Sequence, residues 1–326
     1  MALSYLCRVL CLALCCAGLL QVLLEAFAWS VSGAVMAAFP EASVRSRERR
    51  IFLLALGARL APIVLLAGVL VPAYMRQEDN HGSERVGLLC MVLAAGTLVW
   101  FAASLVRVAF AVVRSNRFRD SCTAIGRTEE GIPLRLAPGI RPVLAVTGIF
   151  SATILLSRNL LDESRFSSPA LQAAFAHEGA HARQHDNFKL LLLTALPHLG
   201  FRSSGRASLE QQWRLQAELA ADEEGTGKRG SHRAVLLAEM LVSLARENTM
   251  ELPFTSIALL DRSDDLRVRV MRLLGEAEPA VRRFTLRGAL QAAYAIILPA
   301  LVVGVLVYGF AHAGHRVAEF VLRLGA

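Results

Sequence analysis

The chain has 326 residues, 55% of them hydrophobic and 19% charged, and a mean hydropathy of +0.46, which is too apolar for an ordinary water-soluble enzyme of this length. The formal net charge is +8, yet residues 114–286 hold 23 basic and 20 acidic side chains, a net of only +3. No basic stripe interleaved with aromatics appears, so nucleic acid is not an expected partner.

The apolar excess falls in blocks. Residues 9–38 are broken only by Gln21 and Glu25; 51–74 carry Arg59; 86–106 and 288–312 complete the set. Each is long enough to cross about 30 Å of hydrocarbon at about 1.5 Å per residue. The first has one early charge, Arg8, and is about twice as long as a signal-peptide core, which predicts an uncleaved span. Buried charge is costly within a bilayer, so Glu25 and Arg59 are read as partners between the first two spans, while Arg8 and Arg107 can snorkel. Cys7, Cys11 and Cys15 repeat at i, i+4 and i+8 with no His or carboxylate nearby, and read as packed or lipid-facing thiols. The six cysteines form no readable disulfide framework.

Arginines near the spans set the predicted orientation. Arg45, Arg47, Arg49 and Arg50 lie between spans one and two, Arg114, Arg117 and Arg119 follow span three, and Arg282, Arg283 and Arg287 precede span four. They place 39–50 and 114–286 in the cytoplasm and both termini outside, as in a bacterial-type inner membrane. The expectation is a mainly α membrane protein: a three-span region over 1–113, an α+β cytoplasmic domain over 114–286, and a fourth span with a short tail over 287–326.

Within 114–286, residues 114–132 read as a linker with a short strand or turn, and 133–136, 142–147 and 153–157 as strands. Ser168-Pro169 reads as an N-cap followed by a proline at the first helical position. Residues 190–201 are apolar over too short a run to span, and fit either an interfacial or a core helix. Ser208 with Gln211 forms a capping box ahead of the next helix, and Gly225 reads as its stop signal. Amphipathic helices are expected over 231–248 and 264–275.

The most specific feature is His177-Glu178-Gly179-Ala180-His181. Helical positions i and i+4 lie about 40° apart, so both imidazoles project from one face, and Glu178 falls about 60° from His181 on the same side. Two imidazoles suit zinc, which lowers the pKa of a water it binds to about 7, and a carboxylate beside them can take that water's proton. His185 drifts about 80° from His177 and reads as a surface residue. Downstream, Glu218 and Asp222 again share a helical face. Glu218 could complete a three-ligand site with an open fourth position, and Asp222 could accept the free ring N–H of a ligand histidine.

The histidine motif followed by Asp186, then a helix with Glu218 and Asp222, resembles the integral-membrane gluzincin peptidases. The likeness is to the BlaR/MecR antibiotic-sensor type, with the HtpX and CAAX prenyl protease type as a near cousin. It covers roughly residues 86–312, including a lead-in from Arg141-Pro142-Val143 to Ile154-Leu155-Leu156-Ser157. The resemblance implies a zincin-like domain inserted between spans three and four and a Zn²⁺ endopeptidase. Its base would be Glu178, its ligands His177, His181 and Glu218, and its supporting residues Asp222 and Asp186. The expected partners are the bilayer and a protein or peptide substrate. Enzymes of this type commonly hold substrate along a strand edge, here 142–147 or 153–157. Arg269-Val270 resembles a family position too, although an arginine on a helix reads more simply as solvated. The sensor proteins continue into an extracellular penicillin-binding domain, and this chain ends about 14 residues after its last apolar block, so antibiotic sensing is not expected. The alternative function is a non-catalytic sensor or adaptor built on the same fold.

Overall fold

The computed structural model describes residues 5–38, 42–72, 86–138, 143–161, 167–200, 207–246, 257–258 and 263–276. The predicted fourth span at 288–312, its preceding arginines and Arg141-Pro142 lie outside the described residues. The described part is mostly helical with one small mixed sheet.

Three helices are long and apolar enough to cross a bilayer: α1 (Tyr5–Ala37), α2 (Val44–Leu65) and α3 (Leu88–Ser121). Beyond Pro62, α2 continues through a wider turn at Leu66–Leu70. Helix α1 packs against both others. It comes close to α3 at Gly18, where a Cβ would collide with the Thr97 hydroxyl. Small residues at such crossings let helices without a hydrophobic driving force pack closely. Glu25 and Arg59 pair as expected, both buried, at 3.7 Å. Arg59 also donates to the Leu193 carbonyl, and Glu25 Oε2 accepts the Leu199 N–H at 2.7 Å. The charges therefore tie two spans to the chain that follows. Arg8 is buried rather than snorkelling.

Helix α3 runs well past the predicted end of its span, through the first part of the expected linker. Residues 107–121 contain neither Gly nor Pro, so nothing stops the helix before Cys122. The sheet then forms from β1 (Thr123–Arg127), β2 (Pro133–Ala137), β3 (Leu144–Thr147), β4 (Thr153–Ser157) and β5 (Ile257–Ala258), in the order β1-β2-β4-β3-β5. Only β2 and β4 are parallel. Strand β4 is interior, which removes 153–157 as a candidate edge. Strand β3 has β5 on its outer side over Ala145 and Val146 only.

Five helices follow: α4 (Ser168–Gln184), α5 (Asp186–Ala195), α6 (Leu209–Thr226), α7 (His232–Arg246) and α8 (Ser263–Leu273). The cap of α4 is Ser167, one residue before the predicted Ser168, with Pro169 in the first turn. The Ser208–Gln211 capping box forms as expected. Gly225 does not end α6; the helix closes at Gly227, whose φ of 74° suits a residue without a side chain.

Two cores organise the domain. One packs β3 and β4 against α4, α7 and α8 through Val146, Ile154, Leu156, Ala173, Leu237 and Leu241. The other joins α2 to α5 and α6 through Ile51, Ala55, Leu190, Leu193, Trp213 and Ala217. Fully burying a leucine contributes about 1.5–3 kcal/mol, and Leu190 and Leu193 of α5 are fully buried in this core. Helices α5 and α6 and the N-terminal half of α2 thus share one core. Gly18→Ala should weaken the α1–α3 crossing by about 1–3 kcal/mol in detergent melting, and Gly18→Ala combined with Thr97→Ala should recover most of that loss.

Candidate metal centre

Helix α4 carries His177 and His181 one turn apart, and all of its site-facing residues, including Glu178, are buried. The partner helix, α6, lies directly against it. A Cβ at Gly225 would stand 2.7 Å from the His177 backbone nitrogen, so the glycine was needed for contact and not for termination. That approach brings Glu218 to the two imidazoles. His181 Nε2 and His177 Nε2 are 3.2 Å apart, and Glu218 oxygens lie 3.5 Å from His177 Nε2 and 3.6 Å from His181 Nε2. A tetrahedral ion with bonds of about 2.0–2.1 Å separates its ligand atoms by about 3.3 Å. The two nitrogens stand at that spacing and each faces a different Glu218 oxygen near it; one ligand atom from each of the three residues lies within 4.8 Å of the others, a group that could hold a metal ion.

The far side of each ring is held by a carboxylate. Asp186 Oδ2 sits 2.8 Å from His181 Nδ1. Asp222 Oδ1 sits 2.9 Å from His177 Nδ1, close but not aligned as a good hydrogen bond. A carboxylate at Nδ1 keeps the proton there and leaves the Nε2 lone pair pointing inward. Asp222 thus lies beside the His177 ring on the side its spacing predicted, and Asp186, whose role the spacing could not tell, bonds the other ring. Asp186 reaches back because His185 adopts a left-handed conformation (φ 53°) between α4 and α5, reversing the chain within one residue. His185 itself is exposed and points to no metal role.

Arg269 on α8 corrects the solvated reading. It is buried; its Nε and Nη2 bond Asp222 Oδ2 and Oδ1 at 2.9 and 2.7 Å, and Nη1 lies 2.7 Å from Glu218 Oε2. One guanidinium therefore fixes both carboxylates of α6, a fork-like match that a lysine could not make. Its sequence signal was slight, because the partners lie 51 and 47 positions upstream.

These contacts shape the charges. Burial opposes the Glu218 carboxylate, but Arg269 and His181 hold its pKa well below the ordinary value. Burial also opposes charge on His181, yet Glu218 and Asp186 outweigh it and raise its pKa well above that of free imidazole. The cluster favours positive charge at its centre. Glu178 behaves differently: burial pushes its pKa up, with His177 and His181 opposing. Its Oε2 accepts the Val146 N–H of β3 at 2.6 Å, while Oε1 is buried without a partner. Asn187 braces the same strand by donating to the Val146 and Gly148 carbonyls. Among the described residues this places every predicted site residue in one constellation.

No family model matches the chain, and no curated protein matches it.

Removing Arg269 while keeping both carboxylates should be severe. Arg269→Met is expected to lower the stability of the metal-free protein by about 3–5 kcal/mol, read from chemical denaturation. Gly225→Ala should push α6 off α4, and zinc affinity should fall with it when measured by chelator competition.

Proposed function

We propose that the chain is a membrane-anchored zinc endopeptidase: an α+β zincin-like domain held on the cytoplasmic side between the third and fourth of four spans. The observation that carries the reading is the convergence of His177 Nε2, His181 Nε2 and a Glu218 oxygen, backed by Asp222, Asp186 and Arg269. All these donors are buried; Arg269 meets Glu218 Oε2, while Glu218 Oε1 has no hydrogen-bond partner and faces the imidazole of His181, where a cation would satisfy it. Nitrogen and carboxylate donors without thiols suit zinc in a catalytic site.

When bound, zinc supplies Lewis acidity toward a carbonyl oxygen and lowers the pKa of an attacking water. The chain supplies the rest. Glu178 is the general base: the Val146 N–H pins one carboxylate oxygen and leaves the other free to take the water's proton and return it to the departing amine nitrogen. Its raised pKa brings proton affinity closer to neutral pH, where that two-way transfer is most effective. Strand β3 orients Glu178 through the Val146 N–H and is paired on its outer side with β5 at Ala145 and Val146, so an extended peptide would have to take the place of β5 to join the sheet beside the base, in the manner of β-augmentation. The N-terminal half of α2 shares a core with α5 and α6. This favours substrates at the bilayer surface: the cytoplasmic or membrane-proximal segment of another protein.

Glu178→Gln keeps the shape of the side chain and removes its basicity. The full chain purified in detergent should hold the same zinc as wild type and cleave host membrane proteins more slowly by about 10²–10⁴-fold. Equal cleavage in both samples would remove the catalytic assignment.

A further inference from the structure

The supports of the metal site do not stop at Asp186. Its second oxygen, Oδ1, accepts from Lys189 Nζ at 2.8 Å, and the same ammonium donates to Glu48 Oε1 of α2 at 3.0 Å. Glu48 Oε1 also accepts the Trp213 Nε1–H of α6 at 2.7 Å. One helical turn further along α2, Phe52 lies under the Lys189 ammonium (5.9 Å to the ring centre) and against the Trp213 indole (6.0 Å between centres). Glu48 and Phe52, at i and i+4 on one face, therefore grip both helices that carry the site: α5 with Asp186 and α6 with Glu218.

Stability alone gives little reason for this arrangement. Glu48 is 2% exposed, and a buried ion pair is often no more stabilising than apolar residues of similar size. The surrounding contact, Ile51, Ala55, Leu190 and Leu193, already joins α2 to α5 by apolar packing. What the ion pair adds is direction. Lys189 is one of only two lysines among 35 basic residues. Its compact ammonium, with three donors, bridges two carboxylates arriving from different helices.

Resting on the zinc-site reading above, we infer that Lys189 and Glu48 are positioning residues. Through Asp186 they orient the His181 ring, so that metal retention depends on how α2 is seated against α5 and α6. The line Glu48–Lys189–Asp186–His181 makes a membrane helix part of the support of a metal ligand. A displacement of α2 that lengthens the Lys189–Glu48 contact turns the ammonium, and with it the carboxylate that fixes the imidazole. A change in the span can thereby reach the site without any residue of the span touching the metal.

The test uses the full chain in detergent as wild type, Lys189→Met, Asp186→Asn, the Lys189→Met/Asp186→Asn double variant, and Glu48→Gln. Each is stripped of metal and titrated with Zn²⁺ against a chromophoric chelator, then loaded with Co²⁺ for its visible spectrum. Lys189→Met should lower Zn²⁺ affinity by about 10–100-fold and shift the Co²⁺ bands, beyond the drop in melting midpoint that leaving Glu48 and Asp186 without their cation entails. The double variant should lose no more than Asp186→Asn alone, because both act through one contact. Glu48→Gln keeps an acceptor for Trp213 and loses the charge; it should shift the same way by a smaller factor, and it carries the test if Lys189→Met does not fold. Unchanged affinity and spectra in Lys189→Met and Glu48→Gln, or additive losses in the double variant, overturn the inference. A wild type that takes up neither ion overturns the metal-site reading itself, and this inference with it. That outcome is distinct from a wild type that binds beside variants that bind equally well.

Discussion

Two imidazole nitrogens 3.2 Å apart, with carboxylate oxygens 3.5 and 3.6 Å from them, are buried together and require positive charge among them, carried by a proton or by a metal ion. Much of the domain is arranged to hold that cluster in place. Asp222 and Asp186 keep protons on the outer ring nitrogens, and Arg269 offsets the two carboxylates of α6. Gly225 removes the side chain that would hold α6 away from α4. At an effective dielectric of about 20, two unit charges 4 Å apart interact by about 4 kcal/mol. An arrangement of this kind favours positive charge at its centre, whether a proton or a cation, more than any one distance shows.

The same cluster explains how the two cores relate. The core of β3, β4, α4, α7 and α8 carries the histidine helix and, at Val146, the backbone donor that orients Glu178. The core of α2, α5 and α6 carries the carboxylate helix and the turn that returns Asp186. The candidate metal centre lies where these two bodies of packing meet, so its geometry is as sound as their contact. Because α2 belongs to the second core, the membrane-length part of the chain is a structural member of the site.

Local features of the site could be read before the fold was known, because they are matters of helical period. His177, His181 and Glu178 on one face, and Glu218 with Asp222 on another, follow from spacing alone, and Ser208 with Gln211 announces its own helix. Long-range features could not be read in this way. Arg269 looked like any arginine on an amphipathic helix until its carboxylates were placed. Gly225 looked like a stop signal because a glycine near a helix end carries the same local meaning whether it terminates the helix or admits a neighbour. Lys189 and Glu48, 141 positions apart, gave no signal that local spacing could read. The extension of α3 through 107–121 was missed by weighing charge above the absence of helix breakers.

The central claim is that nitrogen and oxygen donors from two helices share one zinc ion. X-ray absorption at the zinc edge, on the full chain purified in detergent, tests it most directly. The account predicts one zinc per chain in a four-coordinate shell of nitrogen and oxygen at about 2.0–2.1 Å, with the outer-shell scattering of two imidazoles. A sulfur shell near 2.3 Å, a shell without imidazole scattering, or a protein that retains no zinc would contradict it.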